Sequence, residues 1–447
     1  MMSFPSNKKK VTTNVSTAVP NYPIPTRIPR PEHSLSRKSI SRNALTVLYQ
    51  LKNAGYQAYL VGGGVRDVLL DRMPKDFDVV TDAHPEEVKE LFHNCRLIGR
   101  RFILAHVYFG KDIIEVATFR ACHDQSGDGI VEDGRIVRDN VYGSSLDEDA
   151  FRRDFTVNAL YYDISDFSLI SYANGLQDLQ KRTLRSIGDP VLRYQEDPVR
   201  MLRAIRFAAK LNFVIEPDSA IPIYENGELL SHVNRSRLYE EMLKLFHTGH
   251  GANSFEQLQH YDLFHYLFPY TTDCFDDPTT IKLIEQSLAN TDQRIQEDKP
   301  VTAAFLFASL LWPPLLRVME KRSYKTMSEQ DALFAASQYL VSKQNQHVAI
   351  PRKVVILMQD IWWMQLRLTQ RKAKNRRSLT LLTHPRFRIG YDFLLLRASA
   401  GETVDEWANW WTLLQAVTED ERDNLFNGTK HTRRKKPYRR NRSKRVA

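Results

Sequence analysis

The 447 residues, 42% of them apolar, suffice for two to four cooperating domains with ordinary cores. Three scattered cysteines, Cys95, Cys122 and Cys274, exclude a disulfide framework or a zinc site and point to a reducing compartment, with the cytoplasm as the expectation. The net charge of +10 sits at the two ends: Met1 to Arg42 holds eight Lys/Arg against Glu32, Lys430 to Arg445 holds ten and no acid, and the middle keeps 45 basic and 52 acidic residues.

Residues 1–35 read as a disordered basic extension, because Pro20, Pro23, Pro25, Pro29 and Pro31 deny helix. The extension lacks the apolar core of a signal peptide, so export is not expected. Order is expected from about Ser36. Ser39 to Ala54 reads as a helix, Tyr59 to Val61 as a strand, Val65 to Leu70 as a helix after Gly62, Gly63 and Gly64, and Phe77 to Val80 as a strand. Leu104 to Phe109 and Ile113 to Arg120 flank a Gly110-Lys111-Asp112 turn, which signals a hairpin. Beyond Pro190 the periodicity turns helical, as in Val199 to Lys210 and Arg237 to Phe246. The apolar run from Val301 to Leu316 ends at Pro313 and Pro314 and falls short of the roughly twenty residues that span a bilayer, so it reads as a buried helix and no transmembrane segment is expected. Six tryptophans, at 312, 362, 363, 407, 410 and 411, and an Arg352 to Arg377 stretch of mixed basic and aromatic residues read as helix-bundle packing with one basic face. The arginine-rich end, residues 429–447, is expected to stay unfolded and to hold a polyanion by releasing counterions.

Chemistry concentrates at Asp76-Phe77-Asp78. Two carboxylates two apart on a strand project from one face and can converge on a cation while Phe77 turns inward. Mg²⁺ takes hard oxygen ligands and keeps positions open for substrate phosphates, so such a pair with one further acid suits phosphoryl transfer. Glu115, in the apolar strand Ile113-Ile114-Glu115-Val116-Ala117, is the candidate third ligand. Upstream, Leu60-Val61-Gly62-Gly63-Gly64-Val65-Arg66-Asp67 runs from strand through glycines into a helix. That arrangement lets backbone N–H groups approach a phosphate, and Arg66 is expected to grip its oxygens.

Gly62-Gly63-x-x-Arg66-Asp67 followed by Asp76-x-Asp78 resembles the signature of the class II nucleotidyltransferases of the polymerase β-like superfamily, which hold the CCA-adding tRNA enzymes and the bacterial poly(A) polymerases. Further motifs of that family follow in order: Arg152-Arg153-Asp154-Phe155-Thr156-Val157-Asn158-Ala159, Gly175-Leu176-Gln177-Asp178-Leu179, and Glu196-Asp197-Pro198-Val199-Arg200-Met201-Leu202-Arg203-Ala204. Glu32-His33-x-Leu35-Ser36-Arg37 and Leu97-Ile98-Gly99-Arg100-Arg101-Phe102-Ile103-Leu104-Ala105-His106-Val107 are more similar to the poly(A) polymerase branch. The resemblance implies an α+β fold: a polymerase β-like catalytic head with a small mixed sheet (residues 36–175), then an all-helical neck with base recognition (176–260) and a helical body and leg that bind RNA (261–428).

The implied activity is template-independent polyadenylation of RNA 3′ ends, with CCA addition to tRNA as the alternative and an inactive RNA-binding scaffold as a distant one. ATP is the implied substrate, and the sites implied for it are Gly62, Gly63, Arg66, Asp67, Arg152, Arg153, Asp154, Asn158, Asp197, Arg200 and Arg203. Arg152 and Arg153 supply cationic forks for a triphosphate, Asp154 orients one of them, and Asn158 bonds the ribose or a phosphate. Asp197 and Arg200 form a carboxylate–guanidinium pair that accepts adenine or cytosine and rejects guanine and uracil. Two Mg²⁺ ions are implied, one on Asp76, Asp78 and Glu115 and one on Asp76 and Asp78. His106 reads as structural, and His123-Asp124 lacks the companions of a metal doublet. RNA 3′ ends are the implied partner, with RNA-decay proteins as further ones and a monomer as the expected state.

Overall fold

The computed structural model describes residues 23–99, 103–120, 130–132, 135–138, 142–143, 145–370, 376–418 and 421–422. The chain divides into two compact units, Met1–Lys181 and Arg182–Ala447. The basic end at 429–447, the His123-Asp124 pair and residues 100–102 of the Gly-Arg-Arg motif lie outside the described residues.

The first unit is built on strands β1 (Thr26–Ile28), β2 (Ala58–Val61), β3 (Asp78–Thr81), β4 (Cys95–Ile98), β5 (Leu104–Phe109), β6 (Asp112–Thr118), the separate hairpin β7 (Ile130–Glu132) and β8 (Arg135–Arg138), then β9 (Leu160–Asp163) and β10 (Leu169–Ser171). Among the described residues eight of these join one sheet in the order β1-β10-β9-β2-β3-β6-β5-β4. The pair β3 and β6 is parallel and the other pairs are antiparallel, which gives the mixed sheet that the sequence led us to expect. The expected Gly110-Lys111-Asp112 hairpin is the turn between β5 and β6.

Helix α1 (Arg42–Asn53) starts where the Ser41 hydroxyl accepts from the Ala44 N–H at 3.1 Å. Its Ala44, Val47, Leu48 and Leu51 recur at helical spacing and are buried, so one face packs on β2, β3 and β6. Helix α2 (Gly63–Leu69) follows β2 directly, and α3 (Pro85–Leu91) packs on the same sheet at β4, β5 and β6. Helix α4 (Leu146–Arg152) leads into a short turn at Thr156–Asn158, and α5 (Gly175–Gln180) locks on that turn. A Cβ at Gly175 would lie 2.3 Å from the Thr156 carbonyl oxygen, so only glycine allows this approach, and buried Asp178 fastens it by accepting from Thr156 Oγ1 at 2.8 Å. The Gly175-to-Leu179 motif therefore fastens α5 to the Thr156 turn.

The expectation that residues up to 35 are disordered is corrected for residues 23–35. Thr26–Ile28 adds to β10 as an edge strand, and Leu35 is fully buried. The Glu32-to-Arg37 motif works as a fastener: His33 Nε2 lies 3.0 Å from the Phe167 carbonyl oxygen, and the Arg37 guanidinium sits 4.5 Å from the centre of the Phe167 ring. Prolines forbid helix, but they leave an edge strand open to the chain.

Among the described residues the second unit is helical except for a short parallel pair, Thr183–Leu184 with Val214–Ile215, which corrects the all-helical expectation; its helices begin with α6 (Pro190–Glu196), α7 (Val199–Leu211), α8 (Pro217–Asn226) and α9 (Arg235–Phe246). The apolar helix expected over 301–316 runs as Ala303–Met319, straight through both prolines. Proline at 314 removes the N–H that would have reached the Leu310 carbonyl, and the buried Thr271 hydroxyl donates to that carbonyl instead, at 2.8 Å. Among the described residues no helix is long and apolar enough to cross a membrane. Trp312, Trp362 and Trp411 are core residues as expected, with indole N–H groups donated to Glu402 Oε1, the Ala308 carbonyl and the Leu368 carbonyl.

Candidate active site

The acids meet at the centre of the sheet. Asp78 opens β3 and stands in register with Glu115 of the parallel strand β6, and Asp76 precedes β3 by two residues. Burial raises the Asp78 carboxyl to about 6, Glu115 adds to this by repulsion, Arg153 opposes it, and Asp76 raises it further. Glu115 and Asp76 thus both act electrostatically on Asp78. Among the described residues no three Asp, Glu, His or Cys side chains are already drawn together as a ligand cage. The set is hard-oxygen and crowded with like charge, which fits a divalent cation of the magnesium type.

Gly62 caps α2 with φ 71°, a conformation open to glycine. A Cβ there would meet Arg153 Nη1 at 3.4 Å and Asp78 Oδ2 at 4.0 Å, so the missing side chain leaves room for a guanidinium beside the acid. Gly64 lets the acid-bearing segment pack on α2, since a Cβ would stand 3.0 Å from the Phe77 ring and 3.2 Å from the Asp76 carbonyl oxygen. At Gly63 a Cβ would make ordinary contact with Arg66 Nη2 at 3.6 Å. With seven residues α2 is short, and Arg153 is a cation whose charge acts on Asp78.

Arg153 is held from behind. Its Nε donates to Tyr161 Oη at 2.8 Å and to Asp149 Oδ2 at 3.0 Å, its Nη2 donates to the same Asp149 oxygen at 2.8 Å, and the Tyr161 hydroxyl donates to that oxygen at 2.9 Å. Burial alone would lower the guanidinium, but Asp149 and Tyr161 outweigh it and hold it firmly cationic.

Three residues expected at the ATP site are joined to one another. Arg66, 2% exposed, donates to Asp67 Oδ1 through Nε and Nη2 at 2.8 and 2.6 Å and to Asn158 Oδ1 through Nη1 at 2.6 Å. Asn158 Nδ2 donates to Asp154 Oδ1 at 2.9 Å. The chain Asp67–Arg66–Asn158–Asp154 braces the glycine turn against the Thr156 turn, and a buried guanidinium between two polar partners is worth more there than in water. Arg66, Asp67 and Asn158, all expected at the ATP site, thus bond one another in a buried network behind the glycine turn. Arg152 ends α4 half-buried.

In the second unit the side chains of Asp197 and Arg200 do not bond each other. Asp197 accepts both ends of the Arg237 guanidinium, Nη1 to Oδ1 at 2.7 Å and Nη2 to Oδ2 at 2.6 Å. Arg200 Nη1 donates to Glu196 Oε2 at 2.8 Å and to the Arg193 carbonyl at 2.9 Å. The helix begins one residue later than a simple cap at Asp197 implies, at Val199, so the two side chains leave the backbone in different directions. Arg203 lies over the Phe207 ring at 5.4 Å.

Residues 58–185 match the Poly A polymerase head domain, 212–275 the probable RNA and SrmB-binding site of polymerase A, and 325–445 the polymerase A arginine-rich C-terminus. The poly(A) polymerase I of Salmonella typhimurium is 47% identical over 413 residues, 90% of this chain and 88% of that protein. The chain belongs to the bacterial poly(A) polymerase I family. A CCA-adding enzyme of Lactobacillus helveticus is 40% identical over 213 residues, which is 48% of this chain and 52% of that enzyme. The CCA-adding enzyme of Bacillus stearothermophilus in complex with CTP has the same fold, with a TM-score of 0.56 and 25% identity over 86% of this chain and 82% of that one. The poly(A) polymerase family thus shares its nucleotidyltransferase head and helical remainder with the CCA-adding enzymes.

Sequence reasoning about this poly(A) polymerase family member missed Asp149, Tyr161 and Arg237. Asp149 stands four residues before Arg153, a helical ion-pair spacing, but Asp147 and Glu148 beside it blur the signal. Arg237 lies 40 residues from Asp197, and nothing local marks it.

Proposed function

We propose that the protein transfers AMP from ATP to the 3′-hydroxyl of RNA, repeatedly and without a template. The RNA oxygen bonds to the α-phosphorus, the bond to the β-phosphate oxygen breaks, pyrophosphate leaves, and the hydroxyl proton passes to solvent. The observation that carries the reading is the end-to-end likeness to a poly(A) polymerase, where the CCA-adding relative aligns over half its length.

In this reading Asp76, Asp78 and Glu115 would hold magnesium-type ions, which acidify the primer hydroxyl and neutralise charge on the triphosphate when bound. Arg153, fixed by Asp149 and Tyr161, faces the triphosphate across the gap left by Gly62. Arg152 is a second cation for the same phosphates. Asp197 accepts from the adenine amine with its orientation set by Arg237, and Arg200, whose Nε and Nη2 make no hydrogen bond among the described residues, donates to the ring nitrogen. Residues 176–260 would serve base recognition and 261–428 RNA binding.

Purified protein with Mg²⁺ should extend an oligo(A) primer by many residues with ATP, poorly with CTP, and least with GTP and UTP. Two primers, oligo(A) and a tRNA lacking its terminal CCA, crossed with four nucleotides and read by product length, test this. Termination after three residues with tRNA required would replace polyadenylation by CCA addition.

A further inference from the structure

The outer half of the catalytic sheet keeps one face open. Along β4, β5 and β6 the side chains alternate: Cys95, Ala105, Val107, Ile114 and Val116 are buried, with α1 and α3 packed on these strands, while Arg96, Ile98, Ile113 and Glu115 are exposed and His106 and Tyr108 are half-buried. Ile98 and Ile113 are 44% and 38% exposed. The register runs Arg96 opposite His106, His106 opposite Glu115, and Glu115 opposite Asp78. One cross-strand row therefore leads from an exposed arginine into the catalytic acids.

The groups on this face are close. His106 Nε2 lies 3.5 Å from Glu115 Oε1, the Arg96 guanidinium 5.5 Å from the centre of the Tyr108 ring, and Tyr108 stands opposite Ile113. A flat aromatic beside an exposed aliphatic, Ile113, and rimmed by a guanidinium matches a single-stranded nucleic acid: bases stack on the ring and a phosphate meets the cation. Direction adds a second argument. In-line displacement places the attacking and leaving oxygens on opposite sides of the α-phosphorus. Gly62 and Arg153 lie on the β2 side of Asp78, so a triphosphate there leaves the β6–β5–β4 side for the attacking strand.

We propose that this open face seats the last nucleotides of the RNA primer, with Tyr108 and Ile113 under a base, Arg96 on a backbone phosphate, and His106 positioning Glu115. The proposal rests on the polyadenylating reading above and names the path of its acceptor.

The test uses the full chain with Arg96→Ala, Tyr108→Ala, their combination, and Tyr108→Phe, all changes at the surface of the sheet. KM is measured separately for oligo(A) and for ATP. Binding of an oligo(A) ending in 3′-deoxyadenosine is followed by fluorescence anisotropy in EDTA. The double variant should raise the primer KM and Kd about tenfold while the ATP KM stays within about twofold, and Tyr108→Phe should stay near wild type because it keeps the ring. A primer KM and Kd within twofold of wild type in the double variant would overturn the seat. Wild-type protein that extends only trimmed tRNA would overturn polyadenylation instead. Anisotropy with that tRNA then judges the seat alone: weaker binding by the double variant supports it, and equal binding removes it.

Discussion

The Asp197 carboxylate takes both ends of the Arg237 guanidinium, and Arg200, three residues along the same segment, is held by Glu196. Removing Arg237 takes a two-pronged partner from a mostly buried carboxylate that still accepts from the Val199 N–H, so its orientation loosens while its charge stays. Arg237→Ala should raise the ATP KM about five- to tenfold and narrow the preference for ATP over GTP, with primer affinity kept. Lysine makes one bond where arginine makes two, so Arg237→Lys should fall between. Steady-state constants for all four nucleotides check this, and unchanged selectivity in the alanine variant would detach Asp197 from base reading.

Asp78 is set against the fold it belongs to. Its folded value, about 6, lies above the ordinary 3.8, so the native state binds the proton more tightly than the unfolded chain does. The contribution to stability is fully present below the unfolded value and is lost as pH rises through about 6. Asp78→Asn in EDTA should therefore match wild type near pH 4 and exceed it by about 1–3 kcal/mol at pH 7.5, from urea unfolding at both pH values. The same variant with Mg²⁺ should lose transfer by about a thousandfold or more, since a carboxylate ligand is gone. An asparagine variant less stable than wild type at pH 7.5 would contradict the crowding of the three acids.

The acids and glycines were legible in the sequence because each acts through local geometry. The two carboxylates are two residues apart, although only Asp78 lies in the strand and Asp76 precedes it, and a glycine before a short helix must turn. The parallel register that sets Glu115 beside Asp78 is supplied by the fold, since the hairpin signal pairs β5 with β6 and leaves β3 open, and the sequence offered Glu115 only as an acid in an apolar strand. Less legible was which arginine is sealed in the fold and which stands beside the acids. Arg66 and Arg153 both follow motif glycines or acids, but Arg66 is sealed between Asp67 and Asn158 while Arg153 reaches past Gly62 to Asp78. That distinction depends on which partner the tertiary fold supplies, and partners such as Asp149, Tyr161 and Arg237 carry no spacing that singles them out. The continuous helix through Pro313 and Pro314 was hidden for the same reason, since its compensating hydroxyl comes from Thr271.

The support behind Arg153 can be weighed one partner at a time. Asp149 is buried and carries the charge that offsets the guanidinium, so Asp149→Ala should destabilise the first unit by about 3 kcal/mol, seen as a lower urea midpoint. Tyr161→Phe removes a hydroxyl shared with both partners but keeps the ring, and should cost about 1 kcal/mol and raise the ATP KM a few-fold. If the tyrosine variant changes stability and leaves the ATP KM as it was, Arg153 does not face the triphosphate.

The arginine-rich end makes the most general demand on RNA, because its ten Lys/Arg between Lys430 and Arg445 have no acid among them to bind instead. Each phosphate they neutralise releases about 0.7 of a counterion from a single strand, so the slope of log affinity against log salt counts the contacts made. Deleting 430–447 should flatten that slope by up to about 7 and weaken oligo(A) binding most at low salt, with the ATP KM kept, because the catalytic acids lie in the other unit. Primer length gives a further check. A tail that gathers RNA by charge alone should lose more affinity for a long oligo(A) than for a short one, since a short strand offers fewer phosphates beyond those that the folded units reach. Anisotropy titrations of both lengths at three salt concentrations read the slope directly. Equal slopes with and without residues 430–447 would mean that these cations do not touch RNA and serve solubility instead.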